Sequence, residues 1–463
     1  MKLIKFALPI LFLFVFSPAT MEAQHDLSTQ FLKESWVSSF SNPAWVPKRR
    51  LHIGLPTVFV GGGISNLDLE SLIIEQGDST VLDFDAVMNT VGKKVNGDLE
   101  LAVHPLYFSM SFGKYRIGLE YSLNHHTSIS APGDLAKFLA QGNAPYANRV
   151  LDLGPNFYST TFHRFSIPFS YETGFWTFGA RASLLKGVAS MSTEKGKLDL
   201  TSNMDLNEMY VEADYEILSS GLLVTDTSNM VGVNFNEEFL DDLSLDGNTG
   251  FSMDLGIRFS PTDKLSLGAS VTGIGQIKWD QELIELSSTA NATIQGVTFG
   301  GLEQGVEIEE DAALDTLVDA VNFSSRNTNS FSTALPKKVY LNGTFWLNDF
   351  IEGGAVAYGQ FVNGEFDPAL SLSARLHASF VAVGLTYGLK KNNYTNLGAN
   401  IMFMVGPVQL FAATDNILTA FNPKAFPSST GRLGLALAFG KDVKKKKREK
   451  KEEKVLESEV LPH

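Results

Sequence analysis

Apolar and polar positions alternate without a break from Leu106 to Leu123. Leu106, Phe108, Met110 and Phe112 alternate with Tyr107, Ser109 and Ser111; after Gly113-Lys114, Tyr115, Ile117, Leu119, Tyr121 and Leu123 alternate with Arg116, Gly118, Glu120 and Ser122. A period of two sends successive side chains to opposite faces of a strand. The stretch therefore predicts a hairpin with one wholly apolar face and one face of Arg116, Glu120 and serines. The same unit recurs along the chain. Phe165, Ile167, Phe169 and Tyr171, then Trp176, Phe178, Ala180, Ala182 and Leu184, lie opposite Arg164, Ser166, Thr177 and Arg181. Phe251 to Phe259 opposes Asp254, Gly256 and Arg258, turns at Ser260-Pro261-Thr262-Asp263 and returns through Leu265 to Val271. Three further hairpins turn near Asn348, Ala378 and Gly406, and Gly431 to Phe439 is a closing strand.

A soluble sandwich buries such apolar faces between two sheets, whereas a membrane barrel turns them to lipid and keeps the polar faces inside. Tight turns alternating with longer connections favour the barrel, with one rim periplasmic and the long loops outward. The predicted class is an all-β transmembrane antiparallel barrel of 14 to 16 strands over residues 51–440, the upper count including a pair at Val188 to Leu200 and Met209 to Leu218. Asn124 to Thr161 reads as a long connection holding a helix at Asp134 to Leu139, with further helical insertions at Phe84 to Val91 and Ala312 to Val321. Residues 24–50 read as an irregular N-terminal segment, because Pro43 and Pro47 exclude a regular helix or central strand.

Composition adds a destination. Lys2 and Lys5 precede the apolar run Phe6 to Phe16 and then Ser17-Pro18-Ala19, a secretory signal peptide over residues 1–23. No later segment supplies the ~18 consecutive apolar residues of a membrane helix, so strands must do the crossing. The chain of 463 residues has no cysteine, which removes disulfides, thiolate metal sites and a lipid-bearing cysteine. Its net charge is −14, although residues 441–463 carry nine Lys/Arg against six Asp/Glu and form a charged periplasmic tail. An acidic body repels nucleic acid phosphates.

The inward charges Arg116, Glu120, Arg164, Arg181, Asp254, Arg258 and Arg375 must pair across the lumen or clamp a plug, since buried charges persist only when compensated. Pro168 interrupts a regular strand and removes one ladder donor, leaving either a gap in the wall or a local kink. His125-His126 reads as a solvated turn with no carboxylate at ligand spacing. The acidic stretch Glu303 to Asp315 lacks the spacing of a calcium loop. No nucleophile motif, phosphate-binding loop or carboxylate pair points to an enzyme, and no cofactor or metal is expected.

At Asn42-Pro43-Ala44 the chain resembles the FadL long-chain fatty-acid transporter superfamily and the related PorV barrel of type IX secretion. It is also similar to a large, uncharacterised family of outer-membrane barrels. Gly142-Asn143-Ala144-Pro145-Tyr146, Leu335-Pro336, Asp415-Asn416-Ile417 and Phe421-Asn422-Pro423 extend the resemblance over most of the chain. It implies about fourteen strands, an occluded lumen and an N-terminal segment that enters or seals it. Arg432, Gly434, Leu437 and Phe439 resemble the terminal signal by which barrel-assembly machinery recognises its clients. The expectation is a barrel in outer-membrane lipid of a Gram-negative bacterium that passes small hydrophobic compounds; the alternative is a non-transporting scaffold for a surface or secretion complex.

Overall fold

The computed structural model describes residues 26–65, 73–76, 79–82, 92–203, 205–225, 231–233, 247–296, 299, 312–362, 365–390, 393–422 and 428–440. The signal peptide, the lysine-rich tail, the helix expected at Phe84 to Val91 and most of the acidic Glu303 to Asp315 stretch lie outside these residues. Fourteen strands form a closed antiparallel barrel. In chain order they are β1 Leu51–Ser65, β2 Lys94–Phe112, β3 Tyr115–Pro132, β4 Asn156–Thr173, β5 Trp176–Asn203, β6 Thr249–Phe259 and β7 Leu265–Trp279. The second half comprises β8 Lys337–Trp346, β9 Ile351–Val362, β10 Glu365–His377, β11 Val381–Lys390, β12 Asn393–Val405, β13 Val408–Thr414 and β14 Ser428–Phe439. Each barrel strand pairs with the next, and β14 returns to β1 in the register Leu51↔Phe439 to Gly54↔Ala436. Closure leaves no barrel edge to attract a foreign strand.

The alternating pattern has its predicted consequence. Leu119, Leu341, Leu385 and Leu433 are 60%, 58%, 56% and 65% exposed, while Glu120, Arg375 and Arg432 are buried. An apolar outer belt around a polar interior is the arrangement of a barrel whose solvent is lipid. Among the described residues no helix is long and apolar enough to cross a membrane. The turns after Phe112, Thr173, Phe259, Trp346, His377 and Val405 share one rim with the ends of β1 and β14. Short turns are periplasmic in bacterial barrels, which puts the long connections outside.

Two expectations change. The pair counted as strands fifteen and sixteen is not in the barrel: β5 is one strand of 28 residues, far more than the ~10 a crossing needs. Its far half pairs with Glu208–Ser220, which pairs with Leu283–Gln295 and then Ser324–Asn327, a sheet standing beyond the outer rim. Its core is apolar. Leu200, Met209 and Val211 pack with Phe138 of helix α1, Gly133–Gln141, and with Leu317 and Val321 of helix α2, Ala312–Val321. The second change concerns His125 and His126. They lie within β3, paired with Thr161 and Thr160, because that strand continues to Pro132 and leaves the connection shorter than the sequence suggests.

Candidate functional site

Residues 26–50 fill the lumen from the periplasmic rim. Ser28–Phe31 and Trp36–Phe40 are short 3-10 helices, and nearly every residue from Leu27 to Trp45 is buried. The serines make so irregular a backbone tolerable: Ser38, Ser39 and Ser41 hydroxyls donate to the carbonyls of Ser35, Trp36 and Ser38 at 3.0, 2.7 and 3.1 Å. Trp36 is fully buried and stacks on Tyr107 with ring centroids 4.3 Å apart.

The wall receives this plug through missing side chains. A Cβ on Gly179 would lie 2.2 Å from the Pro43 carbonyl carbon, and one on Gly256 would lie 2.0 Å from Asn42 Oδ1. Asn42 therefore sits against the wall, its Nδ2 donating to the carbonyls of Ile257 and Ala269 at 3.3 Å and its Oδ1 accepting from Ala44 N at 2.9 Å. The Asn42-Pro43-Ala44 turn is a key seated in a glycine notch.

Charges then lock it. Arg116 donates to the carbonyls of Pro47, at 3.0 Å, and Arg49. Arg181 bonds Ser39 O at 2.7 Å and pairs with Glu120 at 3.3 Å and Asp254 at 3.1 Å. Arg375 pairs with Glu34 at 3.1 Å and donates to Phe31 O. Arg258 donates to Thr177 at 2.8 Å and lies 5.5 Å from the Trp45 ring centre. Arg432, on the closing strand, pairs with Asp26 at 2.6 Å. Asp415 accepts from the backbone nitrogens of Leu27 and Ser28 at 3.1 and 2.7 Å. Of the inward charges read from the sequence, Arg116 and Arg258 bond carbonyl or hydroxyl oxygens rather than a carboxylate, and Arg164 lies 5.8 Å from the Phe162 ring centre. Gly434 also faces inward, whereas Leu437 and Phe439 lie on the lipid side of β14.

Sequence reasoning missed Lys33, Glu34, Glu352 and His377, which cluster where the plug meets β9 and β10. Ligand-type atoms of Glu34, Glu352 and His377 lie within 4.8 Å of one another. Lys33 reaches Glu352 at 3.1 Å and Arg375 reaches Glu34, so two cations already offset the two carboxylates and the cluster serves as a fastening. Burial alone would raise the Glu34 carboxyl, but Arg375, Lys48 and His377 outweigh it and hold the group at about 2 against an ordinary 4.5. A depressed carboxylate contributes stability that is complete above pH 4.5 and lost as pH falls toward 2. Amide exchange across residues 28–40 is expected to accelerate through that interval. Glu34→Gln should show fast exchange at every pH, and retention of slow exchange in that variant would contradict the assignment.

Above the plug is a cavity of about 140 Å³. Its polar lining includes His104, Glu120, His125, His126, Arg164, Arg181 and Arg432, and its apolar lining includes Phe40, Phe59, Phe162, Leu335 and Tyr340. Glu100 of β2 and Lys338 of β8, on opposite walls, meet at 2.8 Å along its margin. Pro168 lies lower. The β3–β4 ladder skips from Ile117↔Phe169 to Glu120↔Ser166 without a change of register, while Pro168 still pairs with Arg181 on β5. The missing donor thus leaves an unpaired stretch of wall rather than a bulge. Pro168, Ser39, Pro43 and Arg116 line a small void there. Arg181, the ladder partner of Pro168, lines the cavity above and is held to Ser39 and Phe40.

Belt, closed ladder and fastened plug define an outer-membrane-type barrel with an occluded lumen. The chain belongs to the Family of unknown function (DUF5723), which matches residues 43–415. No curated protein matches it. Among solved structures, the P. putida toluene transporter TodX is similar at 11% identity and TM-score 0.41, over 88% of this chain and 95% of that one. A Pseudomonas aeruginosa FadL homologue is similar at 10% identity and TM-score 0.42, over 92% and 99%. The Ralstonia pickettii toluene transporter TbuX is similar at 10% and 0.39, over 92% and 98%.

Proposed function

We propose that the protein is a passive transporter of small, largely hydrophobic compounds in the outer membrane of a Gram-negative bacterium. The observation that carries this reading is a ligand-sized cavity in the same lumen as an unpaired stretch of wall, linked to it by Arg181, which lines the cavity and is the ladder partner of Pro168. Solute enters from the outer side, rests in the cavity and leaves sideways beside Pro168 when Arg181 and the plug shift. Ladder hydrogen bonds are what seal a barrel against lateral passage, so a position without a donor is where the wall yields. Proteoliposomes holding the purified barrel should accumulate toluene or a short-chain fatty acid faster than empty vesicles. Pro168→Thr restores a donor and should slow that uptake. Equal rates in protein-containing and empty vesicles would defeat the proposal.

A second reading, a non-transporting scaffold for a surface or secretion complex, draws on the sheet beyond the outer rim. That sheet has its own apolar core and plays no part in closing the barrel. Stoichiometric partners recovered with the tagged barrel in mild detergent, together with absent uptake, would favour it.

A further inference from the structure

We infer that the cavity above the plug binds a small organic anion with a flat apolar body, its charge placed at Arg164 and its far end at His126. This deepens the transport reading and rests on it for its physiological meaning. Glu120 and Asp254 share Arg181, Glu100 has Lys338 and Asp26 has Arg432. Each of these carboxylates is answered by protein. Arg164 is the remaining cation in the lining: its Nε has no hydrogen-bond partner, and its nearest ring is Phe162, 5.8 Å from the guanidinium carbon. Glu120 in the same lining is already paired with Arg181, so this partly desolvated guanidinium has no carboxylate of its own and is placed to receive one.

His126 supplies an independent observation. It is 4% exposed and neither ring nitrogen has a hydrogen-bond partner, although its neighbour His125 bonds Thr161 and Thr127 at 2.9 and 3.0 Å. A buried imidazole left with both nitrogens unmatched costs free energy that a bound polar group would recover. The pairings Ser122↔Arg164 and His126↔Thr160 place the two residues on adjacent strands, about 13 Å apart at the backbone from the rise per residue. Both side chains line the same cavity. An apolar cavity of about 150 Å³ holds one benzene, so this one accepts a single ring between Phe59, Phe162 and Tyr340.

The test measures dissociation constants for 4-hydroxybenzoate, benzoate and the neutral 4-hydroxybenzyl alcohol on the full-length barrel in detergent, by calorimetry. 4-Hydroxybenzoate should bind at least tenfold tighter than the alcohol. Arg164→Gln should remove that difference and leave the alcohol unchanged, and His126→Phe should weaken 4-hydroxybenzoate but not benzoate. Heat-modifiable migration on gels confirms that each variant is folded. No binding by 4-hydroxybenzoate, equal binding of acid and alcohol, or an unaltered Arg164→Gln barrel each overturns the inference. Toluene uptake without anion binding would leave the transport proposal standing and this one refuted, while anion binding without any flux would do the reverse.

Discussion

Arg181→Leu is expected to destabilise the barrel by about 3–5 kcal/mol and to loosen residues 36–47 well before the wall unfolds. Replacing the guanidinium with a hydrocarbon leaves Glu120 and Asp254 facing each other without their shared cation, in a place where both are at most 5% exposed. Breaking a buried ion pair from one side costs more than the pair itself contributes, because the abandoned charge stays desolvated. His104 lies 3.6 Å from Glu120 but offsets its charge only when protonated, and Asp254 keeps its bond from Gly273 N at 2.8 Å. The plug also loses the donor to Ser39 O. Urea unfolding in detergent gives the stability, and limited trypsin digestion reports exposure of Lys33, whose side chain is 13% exposed in the parent. The double variant Glu120→Gln/Arg181→Leu should recover part of the loss. A single variant as stable and as protease-resistant as the parent would show that the cluster does not hold the plug.

The barrel was legible because lipid imposes a rule with one period. Every second residue of β3 must satisfy hydrocarbon, so Ile117 and Leu119 announce the outside and Arg116 and Glu120 the inside without knowledge of any partner. The rule fails where the solvent changes. Beyond the outer rim β5 meets α1 and α2 instead of lipid, and its alternation gives way to a core built from Leu200, Met209 and Val211. That is why one strand of 28 residues read as two. His125 and His126 were misplaced for a related reason, since a polar pair inside a wetted lumen looks like a turn when only apolar alternation marks strands.

The candidate site was half visible. Inward arginines stand out in a sequence because charge inside a membrane wall demands a partner, yet nothing in the alternation says which partner. Arg375 is 341 positions from Glu34, and Arg432 is 406 positions from Asp26. Glu34 and Lys33 sit in an irregular segment where no periodicity distinguishes an anchor from a solvated charge. One signal was available and unused: glycines recur on the inward side, at Gly54, Gly179, Gly256 and Gly354, each of them against a plug atom. A residue without a side chain on the face that should carry polar groups marks where another backbone comes close.

That notch yields the second large effect. Gly179→Val or Gly256→Val puts a branched side chain where the plug already stands, and at Gly179 the obstacle is backbone, which cannot rotate away. The wall is held by the unbroken β5–β6 ladder and by the β6–β7 ladder, which shifts register once between Met253 and Leu255, whereas the Asn42-Pro43-Ala44 turn is held by a few hydrogen bonds. The weaker partner moves, and the turn leaves its seat. Overpacking of this kind costs about 1–3 kcal/mol. The functional consequence should exceed the thermodynamic one: with Asn42 displaced, Arg181 and Arg258 lose their contacts to Ser39 and Trp45, and the occluded lumen opens from below. Planar bilayers should then show stepwise conductance for either valine variant and none for the parent. Gly431→Ala, where an added Cβ meets nothing within 4 Å, is the matched control and should stay closed. Valine variants that remain electrically silent while folded would mean that the seal lies higher, at the Glu100–Lys338 crossing, and that the plug turn is packing alone.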